Sequence, residues 1–81
     1  MERLKSQNFL AGLKQSKKAI LSGMAVLAYI AEDADDYIKL PLIALCEKEK
    51  VEVLFVDTMK ELAKACHVEV PTAVAVLIKE N

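Results

Sequence analysis

Residues 51–66, VEVLFVDTMKELAKAC, contain two hydrophobic periods in direct succession. Val51 to Val56 is almost wholly apolar and rich in valine, as a buried strand would be. Beyond Asp57 the apolar residues fall at Met59, Leu62, Ala63 and Cys66, the i, i+3, i+4, i+7 spacing of one helix face. Thr58, three residues before Glu61, marks the boundary as a capping box, in which each side chain answers a backbone N–H left free at a helix start.

Working outward, the alternation continues. AVLAYIAED (25–33) and TAVAVLI (72–78) read as strands, and DYIKLPLIALCEKEK (36–50) reads as a helix with Ile38, Leu42, Leu45 and Cys46 on one face. Nearly continuous apolar strands imply burial on both faces, with helices on either side of the sheet. The expected architecture is an α/β/α three-layer sandwich, and consecutive strands joined by helices are expected to run parallel with right-handed crossovers. Pro41 fits either the first turn of its helix or a kink within it. NFLAG (8–12) fits either the end of a first helix or a short edge strand.

Eighty-one residues make one domain with one core, and a composition 54% hydrophobic against 28% charged excludes disorder. The longest apolar run, Met24–Ala31, is far short of the roughly 18 residues of a membrane span. The N-terminus has no signal-peptide core, and the two cysteines lie too far apart for a metal or redox motif, so a reducing, cytoplasmic setting is expected. A monomer is expected at this size.

The net charge of −1 argues against a general polyanion binder, but the charge is unevenly placed. Through Gly23, five basic residues (Arg3, Lys5, Lys14, Lys17, Lys18) face the single acid Glu2, a balance of +4 that the other 58 residues offset with −5. Most of this basic charge sits in GLKQSKKAILSG (12–23). On a helix from about Lys14 to Ser22, Ser16, Ala19, Ile20 and Gly23 share one face, while Lys14, Gln15, Lys18 and Ser22 share the other. Gly12 precedes them where a backbone without a Cβ allows close approach, and the helix start adds free N–H donors. Gln15 both donates and accepts, which suits base edges better than phosphate alone. An ordinary solvated surface helix explains the same spacing.

A second candidate is HVEVPTA (67–73), where Val68 and Val70 flank Glu69 just past a helix that ends near Cys66. Exposed, they would form an apolar platform for an unstacked nucleotide. The pattern alone favours the plainer alternative, in which they begin the last strand and are buried.

Taken together and in order, GLKQSKKAILSG, IAEDAD, LCEKEKVEVLFV, KELAKAC and VEVPTAVAVLI resemble the L7Ae ribosomal-protein family, especially its short bacterial members, over nearly the whole chain. The resemblance implies an α/β/α sandwich with a mixed sheet, in which NFLAG includes a short edge strand. It also implies a non-enzymatic protein that binds and stabilises the kink-turn, an RNA internal loop bent sharply beside tandem sheared G·A pairs, in ribosomal RNA or a regulatory mRNA element. Carried over, Gly12 allows close backbone approach, Lys14 and Gln15 meet the guanines of the G·A pairs, Lys18 binds nearby, and Val68, Glu69 and Val70 enclose the flipped-out nucleotide. Two positions depart from the family: Leu13 replaces a small hydroxyl residue, and His67 replaces glycine. The alternative is a protein-interaction or regulatory domain that keeps the fold without its RNA activity.

Other constellations are weaker. Cys46, Cys66 and His67 are too few and too badly spaced for structural zinc, and Cys66 falls on the core stripe of its helix. Glu32, Asp33, Asp35 and Asp36 form an acidic cluster of a kind that more often caps the next helix than binds a metal. No phosphate-binding glycine loop or serine elbow is present, and no cofactor is implied.

Overall fold

The computed structural model describes residues 9–79, so Glu2, Arg3 and Lys5 of the basic N-terminal segment lie outside it. Among the described residues seven elements alternate: β1 (Phe9–Ala11), α1 (Leu13–Leu21), β2 (Ala25–Ala31), α2 (Asp36–Glu49), β3 (Glu52–Val56), α3 (Met59–Ala65) and β4 (Val74–Ile78). The sheet order is β1-β4-β2-β3, with β2 and β3 parallel and β4 antiparallel to both of its neighbours.

The antiparallel β4 corrects the expectation of parallel strands, and the reason is the brevity of α3. Seven helical residues cover about 10 Å. The connection that follows has enough chain to cover that distance again, and the Thr72 N–H donates to the carbonyl of Met59 at 3.3 Å, back at the start of the helix. The chain therefore retraces α3 before it enters the sheet, and β4 inserts between β1 and β2. The mixed sheet and the short β1 edge strand are as the family resemblance implied.

Side-chain alternation divides the core into two layers. Leu27, Tyr29 and Ala31 of β2 pack with Ala75 and Leu77 of β4, under Leu62 and Cys66 on the α3 side. Ala28 and Val76 meet Ala19, Ile20 and Cys46 of α1 and α2, and Ile30 and Val74 meet Leu42. A bulge between Ala25 and Leu27 turns Ala25 toward the α1–α2 side and leaves Val26 exposed. Only the central strands β2 and β4 are buried on both faces. β3 lies at the edge, and its Leu54 and Phe55 are exposed, contrary to the burial read from VEVLFVD.

Each helix closes with one left-handed residue, at Gly23, Lys50 and His67, whose φ angles are 78°, 60° and 58°. In each case the following N–H reaches back into the last turn: Met24 to Ala19, Val51 to Cys46, and Val68 to Ala63, at 3.0, 2.8 and 3.0 Å. Pro41 is the sixth residue of α2, inside an uninterrupted helix rather than in its first turn. The N–H it lacks would have met the carbonyl of Tyr37, an exposed residue where water is available.

Candidate nucleic-acid interface

β1, β2 and β3 run in the same direction, so the helices that follow them all begin at one end of the sheet. Three positive helix poles therefore converge. Two are answered by carboxylates or hydroxyls. α2 starts with Asp35 at its N-cap, which makes no side-chain cap hydrogen bond, and Asp36 in its first turn, so negative charge alone meets its pole. At α3, Thr58 Oγ1 accepts from the Glu61 N–H at 3.0 Å, and Asp33 Oδ1 reaches across from the preceding loop to accept from the Met59 N–H at 2.7 Å. The acidic cluster thus caps a helix, but its Asp33 serves α3 rather than the adjacent α2.

α1 is the exception. Its N-cap is Gly12, which has no side chain to offer, and its first turn holds no acid. The first intrahelical bond is donated by Ser16 to the Gly12 carbonyl at 3.0 Å, leaving the three preceding N–H groups without acceptors in the helix. Lys14, Gln15, Lys17 and Lys18 are exposed around this pole, while Ser16, Ala19 and Ile20 face the core, as the spacing required. Positive pole and lysines reinforce one another, an arrangement whose chemistry suits an anion.

Gly12 has φ 104° and ψ 153°, a backbone region that is essentially glycine's alone. A Cβ built there would meet nothing within 4 Å. The protein therefore needs glycine for the turn from β1 into α1, and the space in front of it is open. Leu13, 39% exposed, is the first helical residue rather than the cap, so the hydroxyl that the family usually places there is not needed to start the helix. Gln15 and Lys18 also line a shallow depression of about 240 Å³ together with Leu10, Ala19, Ser22 and Met24.

The chain leaving the second candidate segment returns to the same end of the sheet. The Gly12 N–H donates to the Val74 carbonyl at 2.9 Å, and the Ala31 N–H donates to that of Ala73 at 2.9 Å. Val70 lies four residues before Val74, within about 14 Å of chain reach. Val68, Glu69 and Val70 are all exposed, Val70 at 68%, and β4 begins only at Val74. The expectation that these valines start a buried strand is overturned, because residues 68–72 are used to climb back along α3. His67 adopts the left-handed conformation, so the turn survives the loss of glycine.

Two features escaped the sequence reading. The Asp33–Met59 bond spans 26 positions, and no local signal announces it. Ser16 is fully buried with no hydrogen-bond partner for its hydroxyl, a cost hidden because serine fits the helix period as well as alanine does. Cys46 and Cys66 sit in the two opposite core layers, and burial pushes both thiols above their ordinary pKa, which disfavours the thiolate a nucleophile or metal ligand needs. Among the described residues no group of three or more His, Cys, Asp or Glu could hold a metal ion, and no helix is long and apolar enough to cross a membrane.

The chain is 35% identical over 66 residues to the RNA-binding protein TTE2299 of Caldanaerobacter subterraneus, covering 82% of this chain and 80% of that one. It is 35% identical over 74 residues to an RNA-binding protein of Bacillus pumilus, covering 90% of each. Among solved structures, the Giardia lamblia 15.5kD RNA binding protein superposes with a TM-score of 0.85 at 34% identity, over 99% of this chain and 68% of that one. With the model of the ribosomal protein L7Ae/L30e/S12e/Gadd45 family matching residues 1–81, the chain belongs to that family.

Proposed function

We propose that the protein is a non-enzymatic RNA-binding protein, one domain over residues 1–81, that recognises and stabilises kink-turns. The observation that carries this reading is the contrast among the three described helix starts: only α1 has neither a side-chain cap nor an acid at its positive pole, and that pole lies beside Lys14, Gln15 and Lys18. A regular A-form major groove is too deep and narrow for side chains, whereas a bent internal loop with non-Watson–Crick pairs opens it and presents guanine edges. Gly12 lets the backbone approach, Lys14 and Gln15 meet the guanines of the G·A pairs, and Lys18 binds alongside. Val68, Glu69 and Val70 hold the flipped-out nucleotide. The names of the relatives above support RNA as the partner.

The test is a titration of a kink-turn stem against the same stem with its G·A pairs replaced by Watson–Crick pairs. Binding should favour the kinked stem, and equal affinity would defeat the reading. Gln15→Ala and Lys18→Ala should each weaken binding by about 5- to 150-fold if their contacts are to bases. A second reading, a protein-interaction domain, draws on the exposed Leu54 and Phe55 of the β3 edge. It predicts no RNA complex even at low salt.

A further inference from the structure

We propose that His67 is an additional contact of this interface, its imidazole stacking on the nucleotide that Val68–Val70 hold; the inference rests on the RNA reading above. It begins from a backbone outlier. The left-handed position that ends a helix suits glycine, which has no Cβ to strain, and α1 places Gly23 there. At the end of α3 the chain instead carries an imidazole side chain, on His67. Lys50 bears the same conformation at the end of α2, so strain by itself assigns nothing.

Location and chemistry separate the two. Lys50 leads into the buried Val51, whereas His67 opens a run of exposed residues that continues through Val68, Glu69, Val70 and Pro71. The bond from the Val68 N–H to the Ala63 carbonyl, 3.0 Å, anchors this run to the last turn of α3 and fixes the backbone next to His67. Within the run the only formal charge is the Glu69 carboxylate, which repels phosphate. Its attraction for a nucleotide must come from faces rather than charge, and His67 supplies its one aromatic face. Histidine is among the side chains on which unstacked bases settle in RNA complexes. Glycine at this position would give an easier turn and no platform.

The experiment compares wild type, His67→Gly and His67→Phe on a kink-turn stem and on the same stem with an abasic site at the flipped-out position. His67→Gly should melt at a higher temperature than wild type, which shows that it folds, yet bind the intact stem roughly tenfold more weakly. His67→Phe should keep most of the affinity, and the abasic stem should erase the difference between wild type and His67→Gly. Equal binding of the intact stem by wild type and His67→Gly overturns the inference, as does an equal loss on the abasic stem. Wild type that shows no preference for the kinked stem over its G·A-replaced control sinks the underlying reading as well, so the two failures are told apart.

Discussion

Replacing Gly12 with alanine separates two explanations for a glycine at the head of α1. The residue lies at φ 104° and ψ 153°, which an L-residue with a Cβ occupies only under strain of about 1–3 kcal/mol. Nothing lies within 4 Å of where that Cβ would sit, so no steric clash adds to the figure in the free protein. A less flexible unfolded chain returns about 0.4–1 kcal/mol at compatible sites, but the gain is outweighed where φ is positive. For a domain this small each 1 kcal/mol shifts the melting temperature by about 4–8 °C, so Gly12→Ala should melt roughly 4–20 °C below wild type with no RNA present. Thermal unfolding followed by circular dichroism measures the shift. An unchanged melting temperature would refute the reasoning, because the glycine would then be required only by what approaches it, not by the turn it makes.

Ser16→Ala should stabilise the protein by about 1 kcal/mol, since it removes a buried hydroxyl without a partner and substitutes a better helix former; a lower melting temperature than wild type would count against that account. Burial raises the pKa of Cys46 and Cys66 above the ordinary 9.0, so the folded chain holds these protons after the unfolded chain has released them. Their contribution to stability is complete below pH 9 and lost as pH rises past it. The urea midpoint should therefore fall between pH 8 and pH 10, and more shallowly in a Cys46→Ala, Cys66→Ala double variant than in wild type.

Local periodicity made the helices and strands legible. The Met59, Leu62, Ala63, Cys66 stripe and the Thr58–Glu61 cap lie where the spacing puts them, because each is set by residues within a turn or two of one another. Strand order and direction are not local quantities. VEVLFVD and TAVAVLI are alike in apolar content, yet β3 takes an edge with Leu54 and Phe55 in solvent while β4 takes a buried centre. What decides between them is the length of α3 and the backward run of residues 68–72, a relation between a helix and a loop. The same run explains why the strand-like pattern of Val68 and Val70 misleads. Their pattern belongs to a strand, but they serve as an exposed connection whose hydrogen bonds to α3 hold the ends and leave the middle free. The basic face of α1 was readable from its period, whereas its distinction from the other two helix starts required knowing that Asp33 reaches Met59.

That distinction bears on how an acidic protein selects a polyanion. Three helix poles at one end of a sheet would attract phosphate wherever they lay bare, and RNA could then dock in several registers. Asp33 caps α3, and Asp35 and Asp36 set negative charge beside the α2 pole, so the same residues that stabilise α2 and α3 discourage RNA from settling there. Attraction is left only at α1, where donors with directional geometry accompany the charge. Few phosphates are neutralised in such an arrangement, so affinity should decline more gently with salt than for a protein that contacts 6–10 of them, and the choice of RNA falls to base edges and shape. The net charge of −1 then contributes to selectivity, because the 58 residues after Gly23 carry eleven acids against six bases.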